Sequence, residues 1–227
     1  MIARAKLCGI RSQRDLDTAV EAGADAIGLI CGVTHLSEDA LTPDRARALA
    51  RRTPPFVSTV LVTHLGDARE ILDLAGHIGT DTIQVHGVVG ADVLAAVHER
   101  AAGRRVISAV HVTGPEAIED ALAVVGHCDA VLLDSRTSDR LGGTGRTHDW
   151  SISRRIADAL REHRLPVILA GGLRPENVAE AIGAVRPFAV DANTGVEDER
   201  GDKAPERCAR FVAIAREAIG RVTIEAA

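Results

Sequence analysis

The sequence predicts a single (β/α)8 TIM barrel of the α/β class. Short β-branched runs alternate with alanine-rich amphipathic stretches eight times. The alternation fills all 227 residues, and no second compositional zone interrupts it. This pattern calls for parallel strands joined by helices, and an open doubly wound sheet is the competing arrangement. Eightfold regularity over a length common for one barrel domain favours closure. The domain is read as residues 1–220, with RVTIEAA (221–227) as a C-terminal tail.

In chain order, strands are expected at ARAKLC (3–8), DAIGLIC (25–31), FVSTVLV (56–62), DTIQVH (81–86), RVISAV (105–110), AVLLD (130–134), PVILA (166–170) and FAVDA (188–192). Helical patterns lie between them, among them RDLDTAVEAG, PDRARALARR, DAREILDLAGHIG, ADVLAAVHERAAG and PENVAEAIGAV. Ser12, three residues before Asp15, is placed to cap the first helix. Thr42-Pro43 opens the second with a cap and a first-turn proline, and Pro175-Glu176-Asn177 is read the same way for the seventh. Gly23, Gly79, Gly103 and Gly183 are read as helix stops.

Composition excludes several classes. Hydrophobic residues are 46% and charged residues 26%, the balance of an ordinary globular protein. No apolar run approaches the roughly 18–20 residues that span a bilayer, so no membrane association is expected. The start MIARAKLCGI runs straight into a strand-like segment and does not read as a signal peptide. Four cysteines without CxxC spacing predict reduced thiols and a cytoplasmic protein. A net charge of −5, with 2% aromatics and no tyrosine, gives no reason to expect nucleic acid. Lysine occurs only twice among 27 basic residues, which reads as genomic base composition.

In such a barrel the chemistry sits at the C-terminal ends of the strands. Strand one offers Lys6 and Cys8, two apart and therefore on one side. A neighbouring ammonium lowers a thiol's pKa, although a buried structural cysteine would look the same in sequence. Strand six ends in Asp134, a carboxylate that needs either a capping role or a task. Strand seven runs into Gly171-Gly172 and strand eight into Asn193-Thr194-Gly195. Glycine lets backbone N–H groups approach a ligand, and a helix N-terminus follows the first pair. Phosphate sites in these barrels frequently lie after strands seven and eight. A phosphate can thus bind without lysine. LGGTGRTHDW, after strand six, is a third glycine-rich loop, readable as a lid or as a plain turn.

Six motifs occur in order: AKLCGI, IQVHG, LLDS, GGTGRTHDW, ILAGGLRPENV and VDANTGVE. Together they closely resemble phosphoribosylanthranilate isomerase of tryptophan biosynthesis, over residues 3–215. The resemblance implies a (β/α)8 barrel, no cofactor, a small phosphosugar substrate and an Amadori (aldose–ketose) rearrangement of a phosphoribosyl-aminobenzoate. It puts the catalytic cysteine on Cys8 and the catalytic aspartate on Asp134. Phosphate-binding loops fall on Gly171-Gly172 and Asn193-Thr194-Gly195, and His86 belongs to the shared VHG motif. Ring opening needs a general acid at the ring oxygen, and a general base must take the sugar C2 proton. Asp134 fits the acid if its pKa is raised, and Cys8, helped by Lys6, fits the base. The oligomeric state is left as monomer or homodimer.

The segment ICGVTHLSEDALTP (30–43) departs from the family. An arginine that grips the anthranilate carboxylate is usual after strand two, and here Glu38-Asp39 falls near that place. Acids there would repel an anionic ring, so Arg136, or Arg146, is the candidate replacement cation. NTG replaces the family's SSG in loop eight. Moreover, His35, His64, His86 and His111 fall at or just past the ends of strands two to five. With Asp134 and Cys31 they suggest an alternative: a divergent paralogue, possibly a metal-dependent hydrolase or lyase. No HxH or HxxxH spacing supports it, and strand parity leaves His64 and His111 free to face the helices. His77, His98, His127, His148 and His163 read as surface. A phosphate-ligand sensor without catalysis is the third reading.

Overall fold

The computed structural model describes residues 4–34, 37–135 and 148–225. Eight strands alternate with eight helices: β1 (Arg4–Leu7), α1 (Gln13–Glu21), β2 (Ala26–Ile30), α2 (Pro43–Ala50), β3 (Ser58–Thr63), α3 (Ala68–Ile78), β4 (Thr82–Val85), α4 (Ala91–Glu99), β5 (Arg105–His111), α5 (Ala117–Ala123), β6 (Ala130–Asp134), α6 (Trp150–Glu162), β7 (Val167–Leu169), α7 (Val178–Val185), β8 (Ala189–Ala192) and α8 (Pro205–Glu225). Every strand pairs in parallel with its neighbours in sequence, and β8 closes onto β1, with Lys6 opposite Asp191. The expected (β/α)8 barrel is therefore the observed one.

Side-chain alternation divides the core. Leu7, Ile27, Leu29, Leu61, Ile83, Leu133, Leu169 and Val190 pack in one cluster with the helices. Cys8, Val60, Val62, Ile107, Leu132, Ile168 and Ala189 form a second cluster inside the barrel. Period-two alternation produces this split, because neighbours on a strand face opposite sides. The charged and polar interior residues sit on the same parity as the second cluster.

Local signals explain several helix ends. Ser12 and Asp15 form a reciprocal capping box on α1, and Thr42 caps α2 with Pro43 in its first turn. Gly79 ends α3 in the left-handed region, at φ 81°. Two expectations need correction. Gly183 lies inside α7, which stops at Arg186 in a left-handed conformation. Helix α7 starts only at Val178, because Asn177 is spent on the preceding turn: its Oδ1 accepts from Arg174 N and its Nδ2 donates to Gly172 O. Helix α8 continues to Glu225, into the segment read as a tail. Among the described residues no helix is long and apolar enough to cross a membrane.

Candidate active site

At the base of the barrel mouth, Lys6 and Asp191 form a buried ion pair at 2.9 Å. Beside it lies Cys8, and Gly28 on β2 makes the room. A Cβ there would stand 2.6 Å from Cys8 Sγ and 3.2 Å from Lys6 Nζ. Burial alone would lower the Lys6 ammonium, but Asp191 and Cys8 outweigh it and push its pKa up to about 12. For the Cys8 thiol the balance goes the other way. Burial pushes its pKa up, and the Lys6 charge only partly offsets that. Lys6 thus lowers the thiol as expected, but burial outweighs it, so the resting Cys8 is not the activated thiol that the pairing suggested.

Across the mouth, Asp134 ends β6. Its Oδ2 lies 3.2 Å from His86 Nε2, and its Oδ1 accepts from Ser135 N at 2.8 Å. His86 Nδ1 faces Gln84 Nε2 at 3.0 Å. The His86 ring stands edge-on to His64 at 5.2 Å and to His111 at 5.3 Å. His111 Nε2 also lies 3.2 Å from the His86 carbonyl, to which it can donate. So His64 and His111 meet His86 at the mouth, and neither turns to the helices. Burial would raise Asp134's pKa, but the His86 hydrogen bond and charge, the His111 charge and the Ser135 amide hold it below the usual carboxylate range. That overturns the expectation of a raised value.

Two glycine loops lie between these groups, since β7 and β8 separate β6 from β1 in the barrel. Gly171 and Gly172 both have positive φ, 80° and 66°. A Cβ on Gly171 would collide with Ser135, and one on Gly195 with the Leu173 carbonyl. Loops six, seven and eight therefore approach one another closely at these two glycines, where no side chain fits. Thr194 and Gly195 lie in a 3-10 turn, Thr194–Val196.

The acidic loop after β2 does not point its charge into this space unopposed. Asp39 accepts from Asn193 Nδ2 at 2.8 Å and lies 3.7 Å from Arg11 Nε. Glu38 is exposed. Arg11 also reaches Asp202 at 3.1 Å. Asn193 is held from its other side by Lys203, whose Nζ is 2.6 Å from Asn193 Oδ1 and 2.6 Å from Glu197 Oε1. Cys31 is buried in the layer between sheet and helices, away from the histidines. Arg136, Arg146 and His35 lie outside the described residues.

Sequence reasoning missed Gln84, Asp191, Lys203 and His148. His148, read as surface, is half-buried, with Nδ1 at 2.9 Å from the Ser135 hydroxyl beside Asp134. Both lysines of the chain turn out to be buried at this mouth, Lys6 4% and Lys203 1% exposed. Their rarity among 25 arginines was the available signal, since a compact ammonium fits where a guanidinium does not. As possible metal ligands, His86, His111 and Asp134 offer one atom each within 4.8 Å of one another.

The comparisons with known proteins agree with one another. A profile of the family described as N-(5'phosphoribosyl)anthranilate (PRA) isomerase matches residues 5–213. N-(5'-phosphoribosyl)anthranilate isomerase 2 of Methanosarcina mazei is 41% identical, over 92% of both chains. The isomerase of Natronomonas pharaonis is 43% identical, over 93% of this chain and 97% of its own. The crystal structure of phosphoribosyl anthranilate isomerase from Thermotoga maritima superposes with a TM-score of 0.83 at 35% identity, covering 96% of this chain and 100% of that one. A structure of such an isomerase in complex with reduced 1-(o-carboxyphenylamino)-1-deoxyribulose 5-phosphate gives 0.79 at 33%, with 96% and 100% covered. With its closed barrel, its strand-end cysteine and aspartate and its glycine loops, the chain belongs to the N-(5'-phosphoribosyl)anthranilate isomerase family.

Proposed function

We propose that this chain catalyses the Amadori rearrangement of N-(5'-phosphoribosyl)anthranilate to the 1-deoxyribulose isomer, as a step of tryptophan biosynthesis. The observation that carries the reading is the order around the barrel: Asp134 at the end of β6, glycine loops after β7 and β8, then Cys8 directly after β1. A phosphate seated on Gly171-Gly172 and Asn193-Thr194-Gly195 holds the sugar between an acid on one side and a thiol on the other. The acid protonates the ring oxygen, the C1–O bond opens and the anilino nitrogen forms a C1=N bond. Cys8 then takes the C2 proton, which gives the enolamine that ketonises. Lys6 is the positive neighbour of the developing thiolate, and His86 holds the acid. Arg136 is assigned to the aromatic carboxylate.

The reaction needs no cofactor, and the enzyme acts as a monomer or homodimer on this one small molecule. Four free, buried thiols support a reducing, cytoplasmic setting. The test is loss of anthranilate fluorescence on incubation with phosphoribosylanthranilate. Turnover is expected for the wild type, and Cys8→Ala is expected to lose about 10²–10⁴-fold in kcat while remaining folded. Folded wild-type protein without turnover refutes the reading.

A further inference from the structure

Ser135 stands between two parts of this site. Its amide donates to Asp134 Oδ1 at 2.8 Å. Its hydroxyl lies against loop seven, where a Cβ on Gly171 would overlap it, and Gly171 passes it with φ 80°. The ladder between β6 and β7 reaches as far as Ala170 N on Leu133 O, at 2.8 Å. Asp134 and Gly171 each follow that bond by one residue. Their spacing therefore depends on where Ser135 is held.

His148 holds it. The Nδ1 of this ring lies 2.9 Å from Ser135 Oγ, and its Nε2 lies 2.5 Å from Ser153 Oγ. Both serines are buried, Ser135 at 6% and Ser153 at 0% exposure. Ser153 lies near the start of α6, where Asp149 caps the helix by accepting from Ser151 N at 2.9 Å. A hydroxyl both donates and accepts, so one neutral imidazole serves both serines. Its N–H donates to one, and the O–H of the other donates to the bare ring nitrogen. The mechanism above leaves this ring unused, although it belongs to the GGTGRTHDW motif.

The geometry points to His148 as a positioning residue for the isomerisation: it fixes Ser135, and through Ser135 the spacing between Asp134 and the phosphate seat at Gly171-Gly172. This rests on the isomerase reading above, which places the phosphate on that loop. The substrate's own length is set by its covalent bonds. A phosphate seated on loop seven brings the sugar ring oxygen to the acid only if the two strand ends keep their spacing. A misplacement of about 1 Å can cost about 10²-fold in rate. Because the phosphate still seats, the loss falls on kcat and not on KM.

Two replacements of the ring separate this role from plain support of the fold. In His148→Asn the side-chain amide reaches the place of Nδ1, so it keeps Ser135 and releases Ser153. In His148→Gln it reaches the place of Nε2, so it keeps Ser153 and releases Ser135. Each variant loses one hydrogen bond, and a purely structural histidine predicts equal effects. Positioning predicts a split: kcat for phosphoribosylanthranilate falls about 10–10²-fold in His148→Gln and only about threefold in His148→Asn, with KM little changed in both. Equal losses in the two variants overturn the proposal, as does a loss confined to KM. Ser135→Ala keeps the amide on Asp134 but removes the hydroxyl. It should match His148→Gln, and the double variant should be no slower than either single one, because both act through one bond. Should His148→Gln not fold, Ser135→Ala decides, and wild-type kcat there overturns the proposal. Amide NMR of the protein without substrate reads the same link. The Gly171 signal should move in His148→Gln and much less in His148→Asn, and an unmoved signal in His148→Gln refutes the link. That readout needs no turnover, so it judges His148 even if phosphoribosylanthranilate is not converted by the folded wild type, a result that would instead sink the substrate reading.

Discussion

The Asp39 carboxylate accepts the Asn193 side-chain amide at 2.8 Å, joining the loop after β2 to the loop after β8 across 154 residues of sequence. The chain continues through Lys203 to Glu197, and on the other side Arg11 balances Asp39. Asp39 is thus a strut between the two loops. It fixes Asn193, which opens the loop after β8. Asp39→Ala is expected to lower stability by about 1–2 kcal/mol, the worth of a charge-assisted, partly buried hydrogen bond. KM for the phosphosugar should rise several-fold, with a smaller change in kcat. Urea midpoints and steady-state kinetics check both. A lower KM in the variant would mean that Asp39 repels the substrate after all.

The Lys6–Asp191 pair is buried at both ends, so removing one partner strands the other. Lys6→Met is expected to cost about 3–5 kcal/mol, and the double change Lys6→Met, Asp191→Leu less than that, because no unpaired charge remains. The ammonium's pKa is raised from 10.5 to about 12 in the fold. A raised value stabilises the fold fully below the unfolded value and loses that contribution as pH climbs through the folded one. The stability gap between wild type and Lys6→Met should therefore stay constant from about pH 6 to 9. Chemical denaturation at several pH values measures it, and a gap that shrinks within this window contradicts the pairing.

The Cys8 thiol, raised by burial, should be slow toward iodoacetamide at neutral pH, since only the thiolate reacts. Its alkylation rate is expected to keep rising above pH 9, to fall further in Lys6→Met, and to drop when a reduced product analogue occupies the mouth. Peptide mapping after timed alkylation reads the site directly. Rapid neutral alkylation of Cys8 would mean that Lys6 activates it in the resting enzyme.

Most of the fold could be read in the sequence because its causes are local. The Ser12–Asp15 box, Thr42-Pro43 and Gly79 each act within a few residues, and the period-two runs mark all eight strands. Gly183 misled because a helix-interior glycine and a stop glycine have the same letter; what ends α7 is the left-handed Arg186. Strand-end logic picked out Cys8, Asp134, His86 and the glycine loops. It could not pair Lys6 with Asp191, or Asp39 with Asn193, because those contacts exist only after β8 meets β1. The charge of the loop at 30–43 was legible, but its direction was not. Gln84 was within reach, since residues two apart on β4 share a face with His86.

His86, His111 and Asp134 bring one ligand atom each within 4.8 Å, and the His86–Asp134 separation of 3.2 Å is close to an edge of a tetrahedral zinc site with bonds near 2.0–2.2 Å. The geometry admits a metal, yet the atom a metal would take from His86 is the one that faces the acid. Metal and acid function therefore exclude each other. Protein treated with a chelator should retain full isomerase activity, and added zinc should inhibit it. Because zinc takes unprotonated imidazole and carboxylate ligands, inhibition should strengthen as pH rises. His111→Gln should weaken zinc inhibition more than it weakens turnover, since His111 can ligate zinc but only flanks the acid. Activity assays with buffered zinc, alongside metal analysis of the purified protein, test the set. Loss of turnover on chelation and its return with zinc would restore the hydrolase or lyase alternative and displace the isomerase mechanism.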